Sequence, residues 1–334
     1  MAHSADLGML GRYRLRASLA RGGMAELFLA DLSGPEGFVK RVVIKRMLPQ
    51  LAAQETYRQM FAQEARLMAT FGHGHVVSAL DYGVEQGSPY LVLEYVDGAD
   101  LARVLGEGRV LPPPLVRYVG LCLLRALEHV HGLRDPRGEP LGIVHRDISP
   151  ANVLLGRTGD VKLADFGIAK GLRTPSHTAP GSTRGRLRYM APEQVLGGPL
   201  DGRADLFSLA VLLYEALVGQ GPYSAKTDAQ LLLAVRDTRL APPDDLRRSA
   251  GGPLAEVLLR ALRPHPSERY ASAGEMARAL TAVAGENEGE QPWRVAEVVA
   301  RTLTPEGTTD DGPREAKGRS PFSAVLLEVR EDGS

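Results

Sequence analysis

Three side chains in one short stretch are of the right types and spacing to carry a reaction between them. The segment His145–Gly167 reads HRDISPANVLLGRTGDVKLADFG and holds Asp147, Asn152 and Asp165, spread over two short loops with a hairpin between them. One carboxylate so placed can orient an attacking hydroxyl and accept its proton. The amide and the second carboxylate are hard oxygen donors that can hold magnesium on a nucleotide's phosphates. The chemistry indicated is phosphoryl transfer. A single HRD or DFG tripeptide carries little weight, and an Asp-Gly or Thr-Gly pair is more often only a turn. Two such tripeptides in this order, with Asn152 at its offset, carry far more.

The elements before this stretch must deliver cations to the same place. Tyr13–Leu19 and Leu27–Asp31 read as strands flanking Ala20-Arg21-Gly22-Gly23-Met24-Ala25. A glycine hairpin of this kind can lay backbone N–H groups over phosphates, although by itself it is usually a plain turn. Val39–Met47 is a β-branched strand carrying Lys45, which on its own could equally be an exposed edge residue. From Tyr57, the positions Tyr57, Met60, Phe61, Met68 and Phe71 recur with helical period, and Glu64 falls on the same stripe. A carboxylate facing a core is costly unless paired, and Lys45 is the nearest preceding cation in the same lobe. The expectation is an ion pair that holds Lys45 within reach of phosphates. Val76–Tyr82 and Tyr90–Val96 read as two more strands, completing a five-stranded sheet with one main helix, and Glu94–Asp100 reads as a hinge.

A second, mainly helical lobe follows. Leu115–Val130 is an apolar helix entered through Pro112-Pro113-Pro114, where proline fits the first turn. Leu206–Val218 is apolar nearly all round, as in a helix buried on most sides, with Asp205 at its start, where an aspartate is most often a cap. Leu231–Val235, Leu254–Leu262 and Ala273–Val283 read as further helices. Beyond Gly167, Lys170–Arg188 mixes Thr174, Ser176, Thr178, Ser182 and Thr183 with glycines, prolines and arginines. Burial alone does not order such a segment, and hydroxyls among arginines suit a switch ordered by phosphorylation. Residues 285–334 lose apolar density and read as a largely flexible tail, with a short docking helix at 293–303, where Val295, Val299 and Leu303 share a face, and a second apolar island at Phe322–Val329.

Composition narrows the function classes. The chain has 334 residues, 44% hydrophobic, enough for a substantial core. Forty basic and forty acidic residues cancel, so no global field draws it to nucleic acid or an anionic membrane, and neither is an expected partner. Cys122 is the sole cysteine, which excludes an internal disulfide and a cysteine metal cage and fits a reducing compartment. The N-terminus lacks the apolar core of a signal peptide, and no apolar run of about 18 residues occurs. A cytoplasmic protein is expected.

Taken in order, these motifs resemble the eukaryotic-like (Hanks-type) Ser/Thr protein kinases of bacteria. The likeness covers residues 11–284, with an N-lobe at 11–96 and a C-lobe at 97–284. It implies an α+β, two-lobed protein kinase-like fold: a small five-stranded β lobe with one main helix and a larger mainly α-helical lobe. It implies ATP and Mg²⁺, transfer of the γ-phosphate to Ser or Thr hydroxyls of protein substrates, and a homodimer for autophosphorylation. Gly22 and Gly23 would cover the phosphates, and Lys45 and Glu64 would be the strand-lysine and helix-glutamate pair. Leu19, Leu27, Val43, Leu93 and Leu154 would surround the nucleotide base, with Glu94 and Val96 giving hinge contacts and Asp100 reaching the ribose. Asp147 would be the catalytic base, and Asn152 and Asp165 the magnesium ligands. Ala191-Pro192-Glu193 would end the activation segment, Glu193 would pair with Arg269, and Asp205 would brace the catalytic loop from beneath. Arg146 would meet a phosphate on the activation segment, with Thr178 the first site and Ser176, Ser182 and Thr183 behind it.

Five positions depart from the family pattern. Ala20 and Ala25 stand where the glycine loop has its first and third glycines, which costs about 1–2 kcal/mol only where φ must be positive. Val43 replaces a small alanine. Ser149 and Arg186 stand where such kinases have a catalytic-loop lysine and a threonine that lie close together. The expectation is a swap, with Arg186 supplying the cation and Ser149 the hydroxyl. Two rivals share the scaffold. A pseudokinase-type nucleotide-binding scaffold is expected to lack one of Lys45, Asp147, Asn152 or Asp165, and a small-molecule phosphotransferase to lack the Ala-Pro-Glu ending and the helices after Asp205. All of these are present.

Overall fold

The strand that carries Lys45 is covered on both faces, which explains why Val42, Val43 and Ile44 can all be apolar. In the computed structural model, which describes residues 7–106, 108–166, 184–284 and 291–304, six strands form an antiparallel sheet. They are β1 (Met9–Leu10), β2 (Tyr13–Arg21), β3 (Ala25–Ser33), β4 (Val39–Met47), β5 (Ala79–Glu85) and β6 (Ser88–Glu94), in the order β1-β2-β3-β4-β6-β5. Val43, Leu27, Leu29, Leu91 and Leu93 join the main core on one face. Val42, Ile44, Phe28, Ala30, Tyr90 and Val92 form a second cluster on the other. The period of two along each strand sorts the residues.

Three details differ from the sequence reading. The sheet has six strands, because Met9–Leu10 pairs with β2 through a turn at Gly11, at φ +55°, and buries Leu10 in the outer cluster. The fifth strand begins at Ala79, not Val76, because Val76 and Val77 are used elsewhere. They bridge to Leu163 of the second lobe, with Val77 N–H donating to the Leu163 carbonyl at 2.9 Å. Gln86 and Gly87, both at positive φ, then make the tight hairpin turn that such geometry requires. The connection between lobes is also shorter than Glu94–Asp100, since β7 (Gly98–Asp100) already pairs with β8 (Val153–Gly156), which pairs in turn with β9 (Val161–Leu163). Gly98 is required there: a Cβ would fall 1.8 Å from the Leu155 carbonyl oxygen.

The sheet's inner face is covered by α2 (Glu55–Met68), preceded by the short α1 (Pro49–Ala52). Met60, Phe61, Glu64, Ala65 and Met68 are its buried residues, so Glu64 is the carboxylate on the core stripe. The second lobe comprises α3 (Leu101–Leu105), α4 (Pro113–His131), α5 (Arg184–Leu187), α6 (Pro192–Leu196), α7 (Gly202–Val218), α8 (Asp228–Arg236), α9 (Pro243–Ala250), α10 (Gly252–Ala261), α11 (Ala273–Ala282) and α12 (Pro292–Leu303). Proline stands at the first turn of α4, where its missing N–H costs nothing. Helix α7 is buried almost all round. It starts at Gly202, three residues before Asp205, because Asp201 is the cap and accepts from Arg203 N–H at 2.9 Å. Asp205 therefore lies in the first turn of the helix and is not its cap. Helix α12 docks on the body through Val295, Val298 and Val299, each burial contributing about 1.5–3 kcal/mol relative to exposure. The tail island at Phe322–Val329 lies outside the described residues. No helix among the described residues is long and apolar enough to cross a membrane.

One buried ion pair fastens α6 to the turn before α11. Arg269 donates through Nη1 and Nη2 to the two carboxylate oxygens of Glu193, at 2.7 and 2.8 Å. Its remaining donors reach the carbonyls of Arg263, Arg203 and Pro264, and its side chain is 0% exposed. Breaking such a pair leaves an uncompensated charge. We expect Glu193→Ala to destabilise the fold by about 3–5 kcal/mol in urea unfolding. A loss below about 1 kcal/mol would place the pair among ordinary surface bridges.

Candidate active site

The second lobe's loop before β8 is shaped by a single carboxylate beneath it. Asp205, 1% exposed, accepts from the backbone N–H of His145 at 2.8 Å and of Arg146 at 2.9 Å, and from His131 Nε2 at 2.8 Å. These bonds hold Arg146 at φ +67°, a left-handed conformation that residues other than glycine seldom take. The other side of the loop is tied to α6, where Gln194 Nε2 donates to the Arg146 carbonyl at 3.1 Å. His131 and Gln194 were not singled out from sequence. A lone histidine ending an apolar helix and a glutamine after Ala-Pro-Glu give no local sign of what they reach.

So held, Asp147 projects toward two donors. Its Oδ2 accepts from Asn152 Nδ2 at 3.1 Å and from Arg186 Nη1 at 2.9 Å, and Asn152 Nδ2 also reaches the Asp147 carbonyl at 2.7 Å. Asn152 thus presents its amide nitrogen to the loop, which leaves its Oδ1 facing elsewhere. That oxygen and Ser149 Oγ are buried without a hydrogen-bond partner. An orphaned hard oxygen on Asn152 suits a cation, and buried polar atoms without partners call for an explanation by ligand or water. Arg186 is brought to Asp147, whereas Ser149 Oγ is bonded to neither.

Opposite stands Lys45. Its Nζ lies 2.6 Å from Glu64 Oε1 and 3.0 Å from Asp165 Oδ1, joining β4, α2 and the segment after β9 in one chain of charges. Burial works against the charged ammonium, but Asp165 and Glu64 more than offset it and raise its pKa above the usual lysine value. Lys45 is a fixed cation. Asp165 sits at φ +55°, a second left-handed residue at the same site. Among the described residues no three His, Cys, Asp or Glu side chains are grouped to hold a metal. Asn152 and Asp165 supply one amide and one carboxylate, the sparse set that magnesium takes when substrate phosphates complete its shell.

The cleft between the lobes is lined by Val43, Glu94, Tyr95, Val96, Gly98, Ala99, Asp100 and Leu154. Leu19, Leu27 and Leu93 are buried in the apolar cluster that includes Val43 and Leu154. The Glu94 side chain is turned away, accepting from Ser78 N–H at 3.0 Å and Lys162 Nζ at 2.8 Å. Lys162 is another residue that sequence gave no reason to notice. Asp100 has 0% exposure and its Oδ1 caps α3 by accepting from Arg103 N–H at 2.8 Å. At the mouth, Gly22 N–H donates to the Ala25 carbonyl at 2.8 Å. A Cβ at Gly23 would meet nothing, so no protein atom demands glycine there and the space above the turn stays open to a ligand. Neither Ala20 nor Ala25 is at positive φ, so their methyls carry only the small cost. Thr178, Ser176, Ser182 and Thr183 lie outside the described residues.

His145 links both halves. Its Nε2–H donates to the Ala164 carbonyl at 3.2 Å, its Nδ1 accepts from Asp147 N–H at 3.3 Å, and its ring packs on Phe166 at 4.4 Å between centroids. Burial pushes its pKa below the imidazole norm, although Asp205, Asp147 and Asp165 act in the other direction. A lowered histidine pKa means stability that is complete above the unfolded value of about 6.5 and is lost as pH falls toward the folded value. His145→Gln, which keeps a donor for Ala164, should lack this loss. The stability gap between wild type and variant should therefore narrow on going from pH 8 to pH 5, by at most about 1.4 kcal/mol per pH unit. A gap independent of pH in denaturant titrations would show that His145 is not neutral when folded.

Comparisons with known proteins agree with this geometry. Residues 19–279 match the protein kinase domain family. MasK of Myxococcus xanthus, named a tyrosine-protein kinase, is 42% identical over 274 residues, covering 81% of this chain and 42% of that protein. The serine/threonine-protein kinase PknB of Mycobacterium leprae is 31% identical over 331 residues, covering 97% of this chain and 51% of that protein. The chain thus spans about half or less of the length of these curated relatives. The crystal structure of the Mycobacterium tuberculosis PknI kinase domain superposes with a TM-score of 0.58 at 29% identity, covering 84% of this chain and 99% of that one. The two-lobed fold, the ion-paired Lys45 and the braced loop under Asp147 thus have their explanation in descent: the chain belongs to the protein kinase family.

Proposed function

We propose that this chain is an ATP-dependent protein kinase that transfers the γ-phosphate of Mg-ATP to Ser or Thr hydroxyls of proteins, a cytoplasmic reaction. The observation that carries the reading is the charge chain Glu64–Lys45–Asp165, which holds a permanent cation against one of the two residues that would hold magnesium. Asp147 orients the acceptor hydroxyl and takes its proton as the new O–P bond forms and the bond from the γ-phosphorus to the β–γ bridging oxygen breaks, releasing ADP. Lys45 neutralises phosphate oxygens, and Gly22 and Gly23 cover them. Asn152 and Asp165 would hold magnesium, which when bound offsets charge on the transferred group. Val43, Leu154 and the hinge residues Glu94 and Val96 frame the base. A hollow lined by Asp147, Arg186, Tyr189 and Met190 lies where the acceptor chain would enter.

Arg186 supplies the cation that the catalytic loop lacks at Ser149. Support comes from its contact with Asp147 Oδ2, which sets a guanidinium beside the reacting atoms. Removing one preorganised stabilising group costs about 10²–10³ in rate. Arg186→Thr and Ser149→Lys should each lower kcat, and the double substitution should retain more activity than either alone. Full activity in both single variants would remove Arg186 from the mechanism.

Activation proceeds by autophosphorylation within a transient homodimer, on Thr178 first and Ser176, Ser182 or Thr183 next, with Arg146 meeting the new phosphate. Tyrosine is the second reading for the acceptor, favoured by MasK's printed name and by Ser149 in place of lysine. Labelled ATP with Mg²⁺ should phosphorylate the wild type and leave Asp147→Asn unlabelled, with modified residues mapped by mass spectrometry. Equal incorporation in both proteins would overturn the catalytic reading. Label confined to tyrosine would select the second acceptor, and an unmodified activation segment in active enzyme would end the autophosphorylation scheme.

A further inference from the structure

Helix α12 lies beyond the 19–279 match, and no step of the proposed reaction uses it. It is nonetheless built into the body. Val295, Val298, Val299 and Thr302 recur at i, i+3, i+4 and i+7, one stripe of the helix. The three valines belong to the apolar cluster that contains Ala99, Leu154 and Leu155. The helix packs across β7, β8 and α3, and its two ends are fixed separately. At its start, Gly159 turns the β8–β9 hairpin at φ +96°, so close that a Cβ would stand 2.5 Å from the Pro292 carbonyl oxygen. At its end, Arg109 Nη1 donates to Thr302 Oγ1 at 3.3 Å, fastening it to the segment after α3.

The strands under α12 are those that floor the cleft. Asp100 and Leu154 are opposite each other in the β7–β8 ladder, and both line the cleft. β7 is only three residues long and is the edge of a three-stranded sheet. Ladders this small are marginal without something packed on them.

We propose that α12 is a positioning element of the nucleotide site. It holds β7 on β8 and so fixes Asp100 and Leu154, which line the cleft, whereas the phosphate-handling residues Lys45, Asp147, Asn152 and Asp165 lie on other elements. Releasing α12 lowers affinity for an adenine nucleotide and leaves the chemical step intact. The proposal rests on the reading of the cleft as a nucleotide site.

The test uses the full chain and Val299→Asp, which places a charge on the docking stripe. Val299→Ile serves as the conservative rescue and Trp293→Ala, at a residue 56% exposed, as the surface control. Calorimetric titration with MgADP should show affinity weakened about 5-fold or more in Val299→Asp, within the usual range of coupling between sites, and unchanged in the other two. In kinase assays the KM for ATP should rise with kcat kept. Hydrogen exchange should quicken in β7 and β8 but not in α7, which separates local release from general unfolding. Unchanged MgADP affinity, or faster exchange confined to α12, would overturn the proposal. Should the wild type bind no MgADP, the nucleotide reading fails by itself, and the exchange of β7 and β8 still decides whether α12 braces them.

Discussion

An ammonium held between two carboxylates, with little water to share its charge, is stable only while both partners stay within hydrogen-bond distance. Lys45 is in that position, and its two partners come from different elements: Glu64 from the helix over the sheet, and Asp165 from the segment after β9 in the other lobe. The pair therefore records the relative placement of three elements. If α2 swung out or the lobes parted, a buried charge would lose its compensation. The two apolar clusters on either side of β4 fix the strand, and the strand fixes Lys45. Much of the N-lobe's packing is what keeps one nitrogen in place.

The catalytic loop depends on the opposite sign of charge. Asp205 is a buried carboxylate that accepts from two backbone N–H groups and from His131 Nε2. A buried carboxylate with three donors is well satisfied. It also forces a conformation, since Arg146 must turn its N–H downward at positive φ. Strain of this kind sits at two points of the site, Arg146 and Asp165, and both adjoin residues that the proposed chemistry needs fixed.

Most of the fold was legible in sequence because its signals are local. Helical period placed Glu64 on a buried stripe, and β-branched residues placed Lys45 on a strand. What was missed depends on contacts distant in sequence. Val76 and Val77 look like the start of β5, but their partner is Leu163, and no pattern within the segment says so. Met9–Leu10 is too short to show a period. Asp205 reads as a helix start because the apolar run begins at Leu206, although Asp201 is the cap. In the site, Asp147, Asn152 and Asp165 were found by order and spacing. Lys162, His131 and Gln194 were not, because each acts through one long side chain on a residue far along the chain. Arg186 was legible only as a departure from a pattern paired with Ser149; its contact with Asp147 was not foreseen, and Ser149 Oγ is buried with no bond to either.

Besides the Lys45–Asp165 bridge, several attachments of the N-lobe to the C-lobe meet on β9. Leu163 receives Val77 and donates to the His75 carbonyl, His75 Nδ1 donates to the Val161 carbonyl, and Lys162 holds Glu94. Three consecutive residues of one short strand are thus the axle on which the small lobe is mounted. Rotation about an axle moves points in proportion to their distance from it. Asp165, two residues beyond Leu163, sits almost on the line and stays nearly still. The Gly22-Gly23 turn, at the tip of a hairpin whose strands are nine residues long, sweeps through the largest arc. Opening the cleft to exchange nucleotide therefore asks little of the metal-holding end and much of the phosphate cover. The lobes can work as a jaw whose pivot lies next to the chemistry.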